Sequence, residues 1–205
     1  MTSNAVSSSR QASTTPAAGS VVSPIKLAHI VLRTARYAAM VDFYRKLLGA
    51  RTQMENGVLA FLAYDDEHHR VAVLNIPGLA DQPDGIAGVH HIAFTYASLR
   101  DLVSTYERVE RLGIKPIWCT NHGPTTSMYY ADPDGNQLEL QVDNFDSVEE
   151  ADAFMQGGEF RENPIGVDFD PAVLARRVRA GESDKVLKKR AHIGPRGFDS
   201  SVKIR

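Results

Sequence analysis

Cysteine is almost missing from this 205-residue sequence: Cys119 is the only one, and tryptophan also occurs once. A single cysteine excludes an internal disulfide and thiolate-cluster metal sites, so any bound metal must take nitrogen and oxygen ligands, and the chain suits a reducing, cytoplasmic setting. No apolar run approaches the roughly 20 residues of a membrane span. Neither sign of charge dominates. The formal net charge is -2, which offers no general attraction to nucleic acid or to an anionic membrane. A small-molecule partner is the expectation that remains.

What the sequence does contain falls into three parts. Residues 1–24 are rich in Ser, Thr, Ala and Pro and lack the apolar run of a secretory signal, which predicts a disordered tail. Residues 25–143 carry the regular periodicities. Residues 144–205 form an extension, partly helical, in which Asp170-Pro171 reads as an N-cap with proline at N1 opening a helix to about Arg179. From Arg176 to Arg205 the extension is basic. It is expected to pack on the domain or wrap a neighbouring subunit, and the chain is expected to form a homo-oligomer.

Within residues 25–143 the same order of elements is written twice, over 25–77 and 88–143. The first repeat opens with a strand at His29–Leu32, then a helix with apolar residues Met40, Phe43, Tyr44, Leu47 and Leu48 and a Gly49 C-cap. Strands follow near Thr52–Glu55, Val58–Tyr64 and His69–Ile76. The second opens at His91–Phe94. Its helix starts at Ser98 with Asp101 at N3 and buries Leu102, Tyr106, Val109 and Leu112 before Gly113. Strands follow near Lys115–Thr120, Ser127–Ala131 and Gln137–Val142. The fold class expected is α+β, two βαβββ repeats making a half-open eight-stranded barrel.

Strand alternation then sorts the polar residues. Ile30 with Leu32, and Ile92 with Phe94, pack beneath their helices, which sends His29 and His91 to the opposite face and leaves His90 at the strand entrance. In Asp132-Pro-Asp-Gly-Asn-Gln-Leu-Glu-Leu140, Leu138 and Leu140 face the helix layer and Glu139 faces inward. A buried carboxylate needs compensation. Two imidazoles and one carboxylate, His29, His91 and Glu139, suit a divalent first-row metal, Fe(II) or alternatively Mn(II); a buried polar network is the other reading.

The motifs H-I-V-L at 29, F-Y-R-K-L-L-G at 43, H-H-I-A-F at 90 and D-P-D-G-N-Q-L-E-L at 132 resemble the vicinal oxygen chelate superfamily of glyoxalases, fosfomycin-resistance proteins and extradiol dioxygenases. The resemblance implies a metal on His29, His91 and Glu139. Glyoxalases of this kind carry a fourth, usually carboxylate, ligand on the last strand of the first repeat, where alternation from His69 places Val73. The chain is most similar to single-module extradiol dioxygenases, in which a histidine opens that strand, another lies in a loop before the penultimate strand, and a tyrosine stands ten residues before the glutamate. His69, His122 and Tyr129 match these, although the loop between His122 and Tyr129 is two residues shorter than in catechol 2,3-dioxygenases. A solvated turn is the other reading of His69. The resemblance implies ring cleavage of a catechol-type substrate with O2 at non-haem Fe(II), with His69, His122 and Tyr129 catalytic. A glyoxalase-like isomerase or fosfomycin-type thiol transferase using another divalent metal is the alternative.

Overall fold

The computed structural model describes residues 21–83 and 85–197. Most of the expected N-terminal tail and the last residues of the basic extension lie outside the described residues. The first repeat comprises β1 (Ile30–Thr34), α1 (Tyr37–Leu48), β2 (Arg51–Glu55), β3 (Leu59–Ala63) and β4 (Val71–Asn75). The second comprises β5 (His91–Thr95), α2 (Leu99–Glu110), β6 (Trp118–Asn121), β7 (Thr125–Ala131) and β8 (Gln137–Asp143). Both repeats are therefore βαβββ, as the periodicity predicts. Gly49 ends α1 with a left-handed φ of 64°, a conformation only glycine adopts without strain. Ser98 caps α2 by accepting a hydrogen bond from the Asp101 amide at 3.1 Å. Leu112, expected in the core, is half exposed beyond the helix end.

Each repeat makes an open sheet of its own. The first has the order β1-β4-β3-β2 and the second β5-β8-β7-β6-β9, where β9 (Val167–Asp168) comes from the C-terminal extension. The opening strand of each repeat is parallel to that repeat's last strand and lies at the sheet edge. No strand of one sheet is hydrogen-bonded to a strand of the other among the described residues.

The two units are joined through their helices. One core contains Met40, Tyr44 and Leu47 of α1, Leu99, Leu102 and Tyr106 of α2, Val71 and Val73 of β4, and Leu138 and Leu140 of β8. Burying this much apolar surface supplies most of the drive to fold. Polar clasps fix the relative position of the units. The Tyr44 hydroxyl donates to Asp132 at 3.0 Å, and Arg108 of α2 donates to the Lys46 and Leu47 carbonyls at the end of α1. The Lys46 and Leu47 carbonyls have no intrahelical donor, and the guanidinium satisfies them.

Register corrects one expectation. Val73 pairs with Leu32 and is fully buried in the helix-side core, so it does not face the His29 side. The alternation counted from His69 fails because the chain bends at Arg70 and β4 begins only at Val71. On β8, Glu139 pairs with Ala93, two residues after His91. The corresponding partner of Val31, two residues after His29, is Ala72. Ala72, and not Val73, is the first-repeat counterpart of Glu139.

The extension is built on the second sheet. It contributes α3 (Val148–Gln156), α4 (Gly158–Glu162), α5 (Pro171–Arg179) and α6 (Asp184–Leu187) besides β9. Asp170 caps α5 as expected, accepting from the Ala172 amide at 2.8 Å. Arg179 pairs with Glu107 of α2, and β9 hydrogen-bonds to β6.

Candidate metal centre and its two half-sites

The second sheet gathers a connected set of polar groups. His91 projects from β5, with its Nε2 3.0 Å from Glu139 Oε2. Two donors held on one first-row cation at about 2.1 Å and at a right angle stand roughly 3 Å apart, so this spacing fits chelation. Glu139 is only 5% exposed. Burial works against its charge, yet hydrogen bonds from His91, Ser127 and Tyr129 hold its carboxyl below the usual glutamate range. None of these partners carries a permanent positive charge. A buried carboxylate surrounded by imidazole and hydroxyl groups, without a lysine or arginine hydrogen-bonded to it among the described residues, is what a divalent cation would compensate.

Tyr129 lies directly across from Glu139 in the β7–β8 register. Its hydroxyl is 2.8 Å from His122 Nε2, while His122 Nδ1 contacts the Ile165 carbonyl. That carbonyl accepts only, so Nδ1 carries the proton and Nε2 of neutral His122 presents a lone pair. Tyr129 thus has one proton to share between His122 and Glu139. Burial, followed by the Glu139 charge, pushes the Tyr129 hydroxyl far above its ordinary pKa. Burial also lowers His122 below the usual histidine value, against the raising effect of Glu139. Both groups are therefore neutral near pH 7. Trp118 pairs with Tyr129 in register and stacks on its ring at 4.8 Å.

The extension holds His122 in place. Asn163, 4% exposed, accepts from the Ile165 and Gly166 amides at 3.2 and 2.7 Å. Arg190 donates to the His122 and Asn163 carbonyls at 3.0 and 2.7 Å. Gly166 has φ of 112°, and a Cβ there would come within 2.3 Å of the Asn121 carbonyl oxygen. Only glycine allows this loop to approach so closely.

The first sheet carries a smaller set. His29 sits just before β1, exposed, with its ring 4.4 Å from that of His69. His69 is 8% exposed and stacks on Phe61 of β3 at 4.2 Å; it is not a solvated turn residue. Its Nδ1 lies 2.5 Å from His68 Nδ1. Burial and then the neighbouring His29 and His68 lower its pKa.

His91, Glu139, Tyr129 and His122 are thus together on one sheet, and His29 with His69 on the other. Among the described residues no group of three or more His, Cys, Asp or Glu side chains is gathered closely enough to hold a metal ion. His90, expected at the strand entrance, is exposed with its Nδ1 2.7 Å from His91 Nδ1. A cavity of about 500 Å³ runs along Val31–Thr34 beside the linker at Leu79–Pro83 and contains none of these candidate residues. Sequence reasoning missed Ser127, Trp118 and the Ile165 carbonyl. Ser127 was accessible to alternation, two residues before Tyr129 on the same strand.

Two linked βαβββ units with an inward His and a Glu on the second one's last strand define a known architecture, and comparison with known proteins agrees. The family model described as Glyoxalase/Bleomycin resistance protein/Dioxygenase superfamily matches residues 26–140. The chain belongs to this superfamily. It is 47% identical over 157 residues to Biphenyl-2,3-diol 1,2-dioxygenase 2 of Rhodococcus globerulus, covering 76% of this chain and 83% of that protein. It is 43% identical over 168 residues to Biphenyl-2,3-diol 1,2-dioxygenase 3 of the same organism, covering 81% and 88%. Among solved structures, a glyoxylase/bleomycin resistance protein/dioxygenase domain from Frankia sp. EAN1pec superposes with a TM-score of 0.50 at 17% identity, over 59% of this chain and 99% of that one. That last likeness is one of fold. No helix among the described residues is long and apolar enough to cross a membrane.

Proposed function

We propose that this protein is an extradiol dioxygenase that opens a catechol-type aromatic diol with O2 at a non-haem Fe(II), with Mn(II) as the alternative metal. The observation that carries the reading is the buried Glu139 carboxylate, bonded to His91 and Tyr129 and lacking a hydrogen-bonded lysine or arginine among the described residues. The names of the two Rhodococcus globerulus relatives support the reaction class. His29, His91 and Glu139 are the residues that would hold the metal. When bound, such an ion would supply the Lewis-acid and redox chemistry that joins a diol to dioxygen.

The chain's own groups do the rest. Tyr129 stays protonated at neutral pH and donates a hydrogen bond to a substrate oxygen. His122, neutral and fixed in one tautomer by Ile165, takes a proton passed through Tyr129 and returns it later in the cycle. His69, kept neutral by its burial and its histidine neighbours, accepts the proton of a catechol hydroxyl from the His29 side. Ala72 stands where a fourth protein ligand would be and has no donor atom. That speaks against the glyoxalase-like alternative.

The test is anaerobic loading with Fe(II), followed by 2,3-dihydroxybiphenyl or catechol in air-saturated buffer. The expected result is consumption of O2 in step with diol and appearance of a coloured ring-opened acid. Iron-loaded protein that consumes no oxygen with either diol would refute the reading.

A further inference from the structure

We propose that the C-terminal extension aims the Tyr129 proton: Arg196 and Asp168 anchor Trp118, and Trp118 sets the plane of the Tyr129 ring, so all three are positioning residues for that tyrosine. This rests on the reading of Tyr129 as the donor to a substrate oxygen.

A phenol O–H lies in the plane of its ring, so the torsion that turns the ring decides where the proton points. In tyrosine that torsion is broad, and neighbours have to define it. Two of them, His91 and His122, meet the Tyr129 ring edge-on, with interplanar angles of 89° and 87°. Trp118 lies flat against it, at 4.8 Å and 25°. The β6–β7 register pairs the two residues and so holds both side chains on one face of the sheet. The indole is the flat surface against which the phenol ring is held.

Trp118 needs an anchor of its own, because it is partly exposed at the start of β6. Its Nε1 donates to Asp168 Oδ1 at 2.9 Å, the one hydrogen bond an indole can donate, and this fixes the ring's rotation. Asp168 lies on β9, a strand of two residues paired with β6, too short to hold a side chain firmly by itself. Arg196 supplies the rest. Its guanidinium grips both Asp168 oxygens, at 2.9 and 3.1 Å, and donates to the Gly166 carbonyl at 3.0 Å. Its backbone amide donates to the Glu162 carbonyl at 3.2 Å. A two-pronged bond of this kind adds direction as well as strength. Partial burial works against the Asp168 charge, yet the bonds from Arg196 and Trp118 hold its carboxyl below the usual aspartate range.

Stability does not account for the arrangement. The Asp168 side chain is half exposed, and ion pairs so placed add little to folding. What this one contributes is geometry: a line from Arg196 through Asp168 and Trp118 to Tyr129, separate from the Asn163 and Arg190 contacts that hold His122.

The test is a cycle of Asp168→Ala, Trp118→Phe and the double variant, loaded anaerobically with Fe(II) and assayed with 2,3-dihydroxybiphenyl in air-saturated buffer. Asp168→Ala should keep iron content, urea midpoint and KM near wild type while kcat falls by roughly 10–10²-fold, the scale on which small misplacements are felt. Trp118 is the only tryptophan, so its emission reports on the anchor directly; in Asp168→Ala it should be more readily quenched by acrylamide. Phenylalanine at position 118 keeps a ring for Tyr129 but has no N–H for Asp168. In that background Asp168→Ala should therefore lower kcat no further.

Full kcat in Asp168→Ala, or an equal loss from it in both backgrounds, would overturn the anchor while leaving the dioxygenase reading intact. Wild-type protein that consumes no oxygen would remove that reading and this inference with it. Should Asp168→Ala fold poorly, Asp168→Thr, which suits a strand and cannot hold the arginine fork, gives the same outcomes in the same two backgrounds.

Discussion

The two sheets follow one plan and hold different things. The second ends in a continuous line of hydrogen bonds from Ile165 through His122 and Tyr129 to Glu139 and His91. The first has a stack of rings, His29 on His69 on Phe61, with no carboxylate among them. The difference starts at one register position, where the second sheet has Glu139 and the first has Ala72. A buried carboxylate then demands donors, and the donors demand support. The extension lays its strand, the Asn163 turn and Arg190 around the second sheet, fixing His122. Repetition supplies the scaffold, and one acidic residue determines which copy becomes the polar half-site.

The largest effect expected from breaking this comparison comes from placing a carboxylate on the wrong face. Val73→Glu puts a charge into the fully buried helix-side core, where an uncompensated carboxylate costs several kcal/mol, on the order of the whole stability of a domain. Loss of the cooperative urea transition is expected. Ala72→Glu, on the His29 face, should retain more folded protein under the same assay, and the reverse ranking would contradict the register.

The next effect probes each sheet's own proton-handling residue. His122→Phe and His69→Phe should each retain iron yet lower turnover by about 10²–10⁴-fold, the usual worth of general acid–base catalysis. Full activity in His69→Phe alone would leave the second sheet as the sole source of chemistry.

A smaller effect is expected at the support. Asn163→Ala removes the acceptor of the Ile165 and Gly166 amides and should cost about 1–3 kcal/mol for the unsatisfied buried groups. With His122 less firmly held, kcat should fall while iron content stays unchanged; unchanged kcat would separate the extension from the site.

The smallest is a pH effect in the metal-free protein. Burial lowers the His122 pKa in the fold, so as pH falls through the ordinary histidine value of about 6.5 the unfolded chain binds the proton first. Stability contributed by neutral His122 is complete above that value, declines as pH drops toward the folded pKa, and levels off below it. Urea midpoints at pH 7.5 and 5.5 should therefore differ less in His122→Phe than in wild type.

Much of this was legible in the sequence because helices and strands declare themselves by period. The α1 and α2 stripes, the Gly49 and Ser98 caps and the inward phase of His91 and Glu139 all follow from local rules. Val73 was misplaced because alternation holds only inside a strand, and the bend at Arg70 resets it. The extension was partly missed because β9 has two residues and α4 five, too short for any period, although Ser147 is a readable N-cap that α3 uses by accepting from the Glu150 amide. Equivalence of His29 and His91 in the repeats could be read from their positions. Their distance could not, because repeats can pack with their sites together or apart and the core between α1 and α2 decides which.

The claim that both sheets supply ligands to one metal is tested most directly by anaerobic equilibrium dialysis against Fe(II), with iron per chain measured in wild type and in His29→Ala, His90→Ala, His91→Ala and Glu139→Ala. The expected result is near-complete loss in the His29, His91 and Glu139 variants, with His90→Ala close to wild type. Iron retained in a folded His29→Ala protein would contradict the account, because the second sheet would then hold its metal without the first.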